Sequence, residues 1–411
     1  MTGRRTLPVA VMGLANLTFG AYGALCLMTV PQLLAARGVP QVTIASITAL
    51  ALMPTFCGFL IAPILDVRFS RRAYAIVFGL LAAGIAFAVM RNLDSIGRLT
   101  PLLVTGFLAA NLYYNALGGW LGTIVPAGQE GRLAAGFTVG NVGGFGIGAI
   151  LFMTLLRGLP ETIGPLACAA FIALPMVLLA WIPAPKGDRR SARESYATLL
   201  HELGVLIRRP VVRRTLFLFC LPAASFALTN SLGGLGGEFG ASERFVSVVA
   251  GIGVTGSAII GTLFVPALVR RIEPLFIYLA IGVTGACFTL SLSVLPHVPA
   301  VFALALFGQN VFQAAAFAVE STIVFRSIGE DNPLAATQFA FLQAATCLPI
   351  AYMQALDGQA YDRGGLHAML ATDAGASLLA CGLLLPVVLF WRARRRAMTI
   401  PPLPAPVLSP E

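Results

Sequence analysis

The chain has 411 residues, of which 58% are hydrophobic and only 11% charged, with a mean hydropathy of +0.87. A water-soluble domain carries roughly 25% charged residues, so the composition excludes a soluble globular protein and points to a polytopic membrane protein. The formal net charge of +10 does not signal a nucleic-acid partner, because the basic residues sit in short clusters between apolar runs, as in loops facing an anionic leaflet.

Taken in order, the chain reads as twelve apolar spans, near 8–36, 42–65, 73–91, 100–124, 133–156, 162–182, 214–236, 245–269, 273–294, 299–325, 334–355 and 370–391. Each is long enough to cross a bilayer core of about 30 Å. The first follows MTGRRTL and resembles a signal sequence, but it is too long and no small-x-small site closes it. An uncleaved helix is expected. The spans are apolar all round, and those with amides and glycines (100–124 and 299–325) should face the interior of a bundle.

With the N-terminus inside, Arg37, Arg91, Arg98, Arg157, Arg244 and Arg363 fall outside and every other basic residue falls inside. That asymmetry predicts an N-in, C-in, all-α fold. The gap from Pro183 to Arg213 separates two six-helix halves. The expected domains are 1–183, a basic cytoplasmic linker 184–213, 214–395, and a tail 396–411. Within the linker, Tyr196, Leu199, Leu200, Leu203, Leu206 and Ile207 recur at helical spacing between basic residues. They predict an amphipathic helix lying either on the anionic inner leaflet or on other loops.

The polar residues inside the spans are the candidate machinery. After span 2, Asp66 is followed by Arg68, Arg71 and Arg72. An acid at a helix end with paired arginines can hold a neighbouring helix end and lock one conformation. In span 4, Asn111 and Asn115 share a face at i,i+4 with Tyr114 beside them. Span 5 carries Gly136, Gly140, Gly143, Gly144, Gly146 and Gly148, a surface that lets a partner helix approach closely.

In span 10, Glu320 is a carboxylate in an otherwise apolar run. It calls for a partner, a proton or a water-filled cavity, with Arg132 a candidate partner. Asp373, near the outer start of span 12, is the second such acid. Tyr22, Asn141, Gln309, Gln313, Gln338 and Gln343 complete the neutral groups that could line a solute cavity, although some must join helices instead. The seven cysteines all fall in spans with no CxxC. They read as small apolar residues, and no disulfide, metal or cofactor is expected.

Two six-helix halves joined by a long cytoplasmic loop resemble the plan of the major facilitator superfamily. The run Pro63-Ile-Leu-Asp66 with Arg71-Arg72 resembles its loop motif, without the glycines and with one extra residue of spacing. Three stretches resemble one branch, the AmpG-like muropeptide permeases and their acetyl-CoA and siderophore transporter relatives. These are Asn111-Leu-Tyr-Tyr-Asn115-Ala-Leu, Val125-Pro126 to Arg132, and above all Ala336-Thr337-Gln338-Phe339-Ala340-Phe-Leu342.

The resemblance implies a secondary transporter in a bacterial inner membrane that imports a cell-wall fragment or siderophore-like metabolite with protons. The branch's span-4 carboxylates fall on Asn111 and Asn115 and a basic residue of span 2 falls on Gly58, so Glu320 and Asp373 are left to couple protons or gate. No Arg or Lys lies within a span to neutralise phosphates, which argues against acetyl-CoA and sugar phosphates as cargo. An exporter of the same fold is the alternative. A membrane-embedded lipid-modifying enzyme is disfavoured, because no intramembrane His, metal cluster or Ser/His/Asp set is present. The small solute, protons and lipid are the expected partners, and a monomer the expected state.

Overall fold

The computed structural model describes residues 7–184, 201, 204–329 and 332–399. Most of the expected linker helix and the tail therefore lie outside the described residues. The helices are α1 Val9–Ala36, α2 Gln41–Cys57, α3 Arg71–Arg91, α4 Ile96–Ile124, α5 Glu130–Gly158, α6 Ile163–Ala180, α7 Pro210–Phe219, α8 Glu243–Leu263, α9 Pro274–Leu292 and α10 Pro299–Ile328. The stretch Ala335–Thr399 bends at Gly364 and Gly365 into two helices, 335–363 (α11) and 366–399 (α12). Among the described residues, nine helices are long and apolar enough to cross a membrane. The 29 residues of α4 match the required length, but its Asn, Tyr, Thr and Gly content lowers its hydropathy.

Local chemistry sets the helix starts. Ser70 caps α3 by accepting from the Ala73 N–H at 3.2 Å, and Ser242 caps α8 from Phe245 at 3.3 Å. Pro274 and Pro299 open α9 and α10, where a missing N–H costs nothing.

In the N-terminal part α1 packs on α5 and α3 on α4. In the C-terminal part α8 packs on α10, and α9 on the α11–α12 pair. The glycine surface of α5 lies on α1. A Cβ at Gly136 would stand 2.7 Å from the Ala10 carbonyl carbon, one at Gly140 3.0 Å from the Gly13 carbonyl oxygen, and one at Gly144 2.7 Å from that of Leu17. Only glycine allows these two backbones to meet so closely. Across the two parts, α5 meets α8 and α10, and α4 meets α10 and α11.

Three expected spans differ from the structure. Span 2 stops being α-helical at Cys57 and continues as tight turns through Asp66, where Pro63 removes a donor. Span 7 is not one helix. It leaves α7 at Cys220, passes Pro222, reaches the left-handed region at Phe226 and continues as tight turns over Ala227–Asn230 and Leu232–Phe239. Apolar content alone gave no warning of this break. The freed carbonyls are taken up internally: Tyr352 donates to Cys220 O at 2.9 Å and Ser377 to Pro222 O at 3.0 Å. Finally, the expected loop 356–369 is helical except at the Gly364–Gly365 bend, so Asp373 lies two turns inside α12 and not at its start.

Candidate functional site: a cavity between two halves

The ends of the bundle differ in charge. Arg68, Arg71, Arg132, Arg270, Arg271, Arg326 and Arg392 cluster at one end, called here the basic end. There the turn after α2 reaches across to α11. Asp66 is buried and accepts from the Ala336 N–H at 3.1 Å, the Thr337 N–H at 2.8 Å and the Thr337 hydroxyl at 2.7 Å. A carboxylate on the first free N–H groups of a helix is stabilised by hydrogen bonds and by the helix dipole together. Arg71 donates to Asp66 at 2.7 Å and to the carbonyls of Asn332 and Pro333 at 3.1 and 2.9 Å. The arginine thus neutralises the acid and grips the α10–α11 connection at once. Arg68 lies over the Phe69 ring, and Arg72 is half-buried on the first turn of α3, so Asp66 and Arg71 carry the contact.

Within two turns of these contacts, toward the bundle centre, lies an aromatic plug. Phe137 of α5, Phe325 of α10 and Phe339 of α11 meet with ring centroids 5.5 to 5.8 Å apart, and Tyr114 of α4 joins them. Gly118 and Gly119 of α4 give room for Phe339 and for the α11 backbone at Ala336. A second polar tie lies outside this plug, where Glu130 of α5 stands 3.7 Å from Arg326 of α10.

Beyond the plug is a cavity that offers ≈ 100 Å³ to the centres of water molecules, enough for several waters. Its polar lining is Thr55, Asn111, Tyr114, Asn115, Thr138, Asn141, Glu320, Ser321, Gln343 and Thr346, with Cys347, and its apolar lining includes Phe19, Phe59, Phe137 and Phe317. Asn115 donates to Asn111 at 2.9 Å, which places both amides on one face. Gln343 of α11 donates to the Tyr114 hydroxyl of α4, a polar contact across the seam. Gly58, the position at which a basic residue was expected, leaves space for Asn111; a Cβ there would stand 2.5 Å from its Oδ1. Asn141 sits in a π-turn over Val139–Gly143, the kind of local widening that re-aims a side chain.

Glu320 is buried two turns from the end of α10 and faces this cavity. Its hydrogen-bond partner is the Tyr278 hydroxyl of α9. The suggested partner Arg132 is exposed on α5. Sequence reading overlooked Tyr278, because a single tyrosine in an apolar span has no spacing that marks it. It also overlooked Thr55, Thr138, Ser321, Thr346 and Cys347, whose small polar groups are common in any span.

The other candidates lie elsewhere. Gln309 donates to Thr289 at 2.6 Å and Gln313 to Thr229 at 2.7 Å, so both tie helices within the C-terminal half. Gln338 donates to the Ser327 carbonyl and hydroxyl, each at 2.9 Å, and accepts from Asn332 at 2.7 Å, which braces the α10–α11 connection. Tyr22 is fully buried against α4 at Gly106. None of these four lines the cavity. Asp373 also lies apart from it, buried on α12 and in electrostatic contact with Asp357 of α11. Asp357, in the expected connection between spans 11 and 12, has a fully buried carboxylate.

The lining has neither arginine nor lysine, and no three His, Cys, Asp or Glu side chains among the described residues are grouped to hold a metal ion. Amides, hydroxyls and aromatic faces suit an uncharged or amphipathic solute. One carboxylate gives a single site at which a proton can be gained or lost.

A family model described as Major Facilitator Superfamily matches residues 11–352. No curated protein matches the sequence at a significant level. Solved structures do match in fold. The human organic anion transporter MFSD10 (TETRAN) is 18% identical, with a TM-score of 0.65 over 92% of this chain and 98% of that one. The E. coli fucose:proton symporter FucP is 14% identical, with a TM-score of 0.66 over 92% and 98%. The proton:xylose symporter XylE, bound to 6-bromo-6-deoxy-D-glucose, is 14% identical, with a TM-score of 0.68 over 92% and 94%. These likenesses show a shared fold.

Proposed function

The chain belongs to the major facilitator superfamily, and from that premise we propose a secondary active transporter that imports a small amphipathic solute with protons across a bacterial inner membrane. The observation that carries this reading is the order of parts along the helices. On α5, α10 and α11 alike, the polar ties come first from the basic end, the aromatic plug second and the cavity third. A seal on one side of a central cavity is what alternating access requires of one of its end states.

With twelve spans and both termini inside, the basic end is cytoplasmic. The structure then corresponds to a carrier closed to the cytoplasm by Asp66, Arg71 and Thr337, with Arg68 and Arg72 flanking the turn. Its cavity is smaller than the roughly 300 Å³ of an ordinary ligand pocket, so the halves part on the far side to admit solute. The branch resemblance in Pro63–Asp66, Asn111–Leu117 and Ala336–Leu342 favours a cell-wall fragment or siderophore-like metabolite. The aromatic and amide lining, free of basic side chains, is compatible with the uncharged parts of either. Glu320 is the coupling group, because it is the one acid that faces the cavity.

Uptake into proteoliposomes with and without an imposed pH gradient tests the reading. We expect a gradient, acidic outside, to raise initial uptake by about tenfold or more, and Glu320→Gln to abolish that stimulation while solute exchange at equal pH persists. Uptake indifferent to the gradient in the unaltered protein would end the proton-coupled reading. Absence of any solute flux across a panel of muropeptides, siderophores and apolar drugs would end the transporter reading itself.

A further inference from the structure

The C-terminal half carries a second large hollow, away from the solute cavity. It opens at the basic end between α7, the α8–α9 turn, the end of α10 and α12, and offers ≈ 810 Å³ to the centres of water molecules. Five arginines line it: Arg214, Arg270, Arg271, Arg326 and Arg392. Glu273 is the one acid among the lining residues. The excess of positive charge is therefore large, and it is gathered in a concavity where field lines are focused. Several of these guanidinium groups are held in place. Arg214 lies over the Trp391 ring at 5.3 Å, Arg392 over Phe276 at 5.2 Å, and Arg326 donates to the Val269 carbonyl at 3.2 Å.

We propose that this groove binds the phosphate headgroup of an anionic phospholipid. Guanidinium groups match phosphate oxygens in a paired geometry, and several of them here converge on one space. The lipid source, as opposed to a free anion, follows from the rim. Val211 and Ile272 line the groove and are exposed, and Phe217 of α7 and Phe390 of α12 are exposed apolar side chains on the same helices. Such side chains face acyl chains in a membrane protein. Trp391, whose ring sits in the groove, is the residue type that settles at headgroup level. A headgroup phosphate here lies among the arginines while its chains run along α7 and α12.

The groove also touches the seam between the halves. Arg326, one of its five arginines, is the residue that faces Glu130 of the other half at 3.7 Å. A bound phosphate competes with that carboxylate for the same guanidinium. Lipid occupancy therefore loosens the outer tie of the seal and favours opening at the basic end. This consequence rests on the transport reading above, whereas the binding site does not.

The test uses Trp391 as a reporter in a Trp120→Phe/Trp181→Phe protein reconstituted in phosphatidylcholine vesicles. A minor fraction of the lipid is brominated, either as phosphatidylglycerol or as phosphatidylcholine. Attraction of a basic side chain to anionic lipid is worth about fivefold in local binding for each residue at the surface. We expect brominated phosphatidylglycerol to quench Trp391 at a several-fold lower fraction than brominated phosphatidylcholine. Arg270→Gln/Arg271→Gln/Arg392→Gln should bring the two lipids to near parity, and Glu273→Gln should strengthen the preference. Arg37→Gln/Arg91→Gln, at the opposite end, should leave it unchanged. Equal quenching by the two lipids, or a preference that survives the triple substitution, overturns the proposal. Relief of quenching by inorganic phosphate, but not by chloride at equal ionic strength, overturns the lipid assignment and makes the groove a site for a soluble anion.

Discussion

The two halves meet at one cavity but bring different chemistry to it. The N-terminal half presents neutral groups, namely Asn111, Asn115 and Asn141 with Tyr114 and Thr138. Among the described residues, the three carboxylates buried within α-helices, Glu320, Asp357 and Asp373, all belong to the C-terminal half, on α10, α11 and α12. The packing of the helices also differs. The α1–α5 contact is a continuous glycine seam, whereas α7 breaks at Cys220 and is repaired by side chains of α11 and α12. An amide cannot change its charge near neutral pH, and a carboxylate can. On the transport reading proposed above, the division separates recognition from coupling: the neutral half would hold solute, and the half with the buried acids would respond to protons.

The largest expected effect breaks the rigid side of this contrast. At Gly136 a side chain meets the α1 backbone, which cannot rotate away, so Gly136→Leu should force α1 and α5 apart. The cost of overpacking is about 3 kcal/mol or more, and we expect the protein to fail to accumulate or to lose its monodisperse peak in detergent on mild heating. Gly253→Ala on α8 is the matched control. Its nearest neighbour to an added Cβ is the Val249 side chain at 4.0 Å, and alanine gains helix propensity. Its thermal stability should be unchanged or slightly raised. Equal tolerance at both positions would remove the glycine seam from the account.

The sequence made part of this legible. Run length and charge placement exposed the helices, because a bilayer imposes both. The face of α4 was visible because Asn111 and Asn115 stand four apart, a spacing that has only one meaning on a helix. The role of an isolated amide was not visible. Gln343 reaches the cavity while Gln309, Gln313 and Gln338 tie helices, and nothing local distinguishes them. The partner decides, and the partner is remote in sequence: Thr229 for Gln313, and Tyr114 for Gln343. The same holds for Asp66. Its arginine neighbours marked it as a switch, but its receptor on α11 lies some 270 residues away. The break in span 7 and the burial of Asp357 were missed for a different reason. Hydropathy counts residues and is blind to whether a proline or a glycine pair leaves the backbone helical.

A middle-sized effect tests the tie between the halves. In Asp66→Asn the side chain loses its charge and turns one donor toward the N–H groups of α11. Hydrogen bonds to a charged group contribute about 2 kcal/mol each, and loss of that much moves the balance between closed and open states by roughly thirtyfold. The readout is Cys347, which lines the cavity behind the plug. With the other six cysteines replaced, a membrane-impermeant thiol reagent added on the basic side should label Asp66→Asn far faster than the parent. Unchanged labelling would mean that the aromatic plug alone seals this end.

The smallest effect sharpens the contrast most. Asn115→Ala removes the donor that holds Asn111 and opens one neutral contact in the lining. If the N-terminal half only recognises solute, the apparent affinity should fall by about tenfold, the value of one well-placed hydrogen bond of roughly 1.4 kcal/mol. The response to a pH gradient, expressed as a ratio of rates with and without it, should not move. Gln309→Leu, which loses a tie to Thr289 outside the cavity, should lower thermal stability and leave both the affinity and that ratio intact. The ratio is the decisive quantity, because a defect in folding or insertion scales both rates alike and cancels. A fall in the ratio in Asn115→Ala would place coupling on both halves, and the proton and the solute would then compete for one shared set of groups.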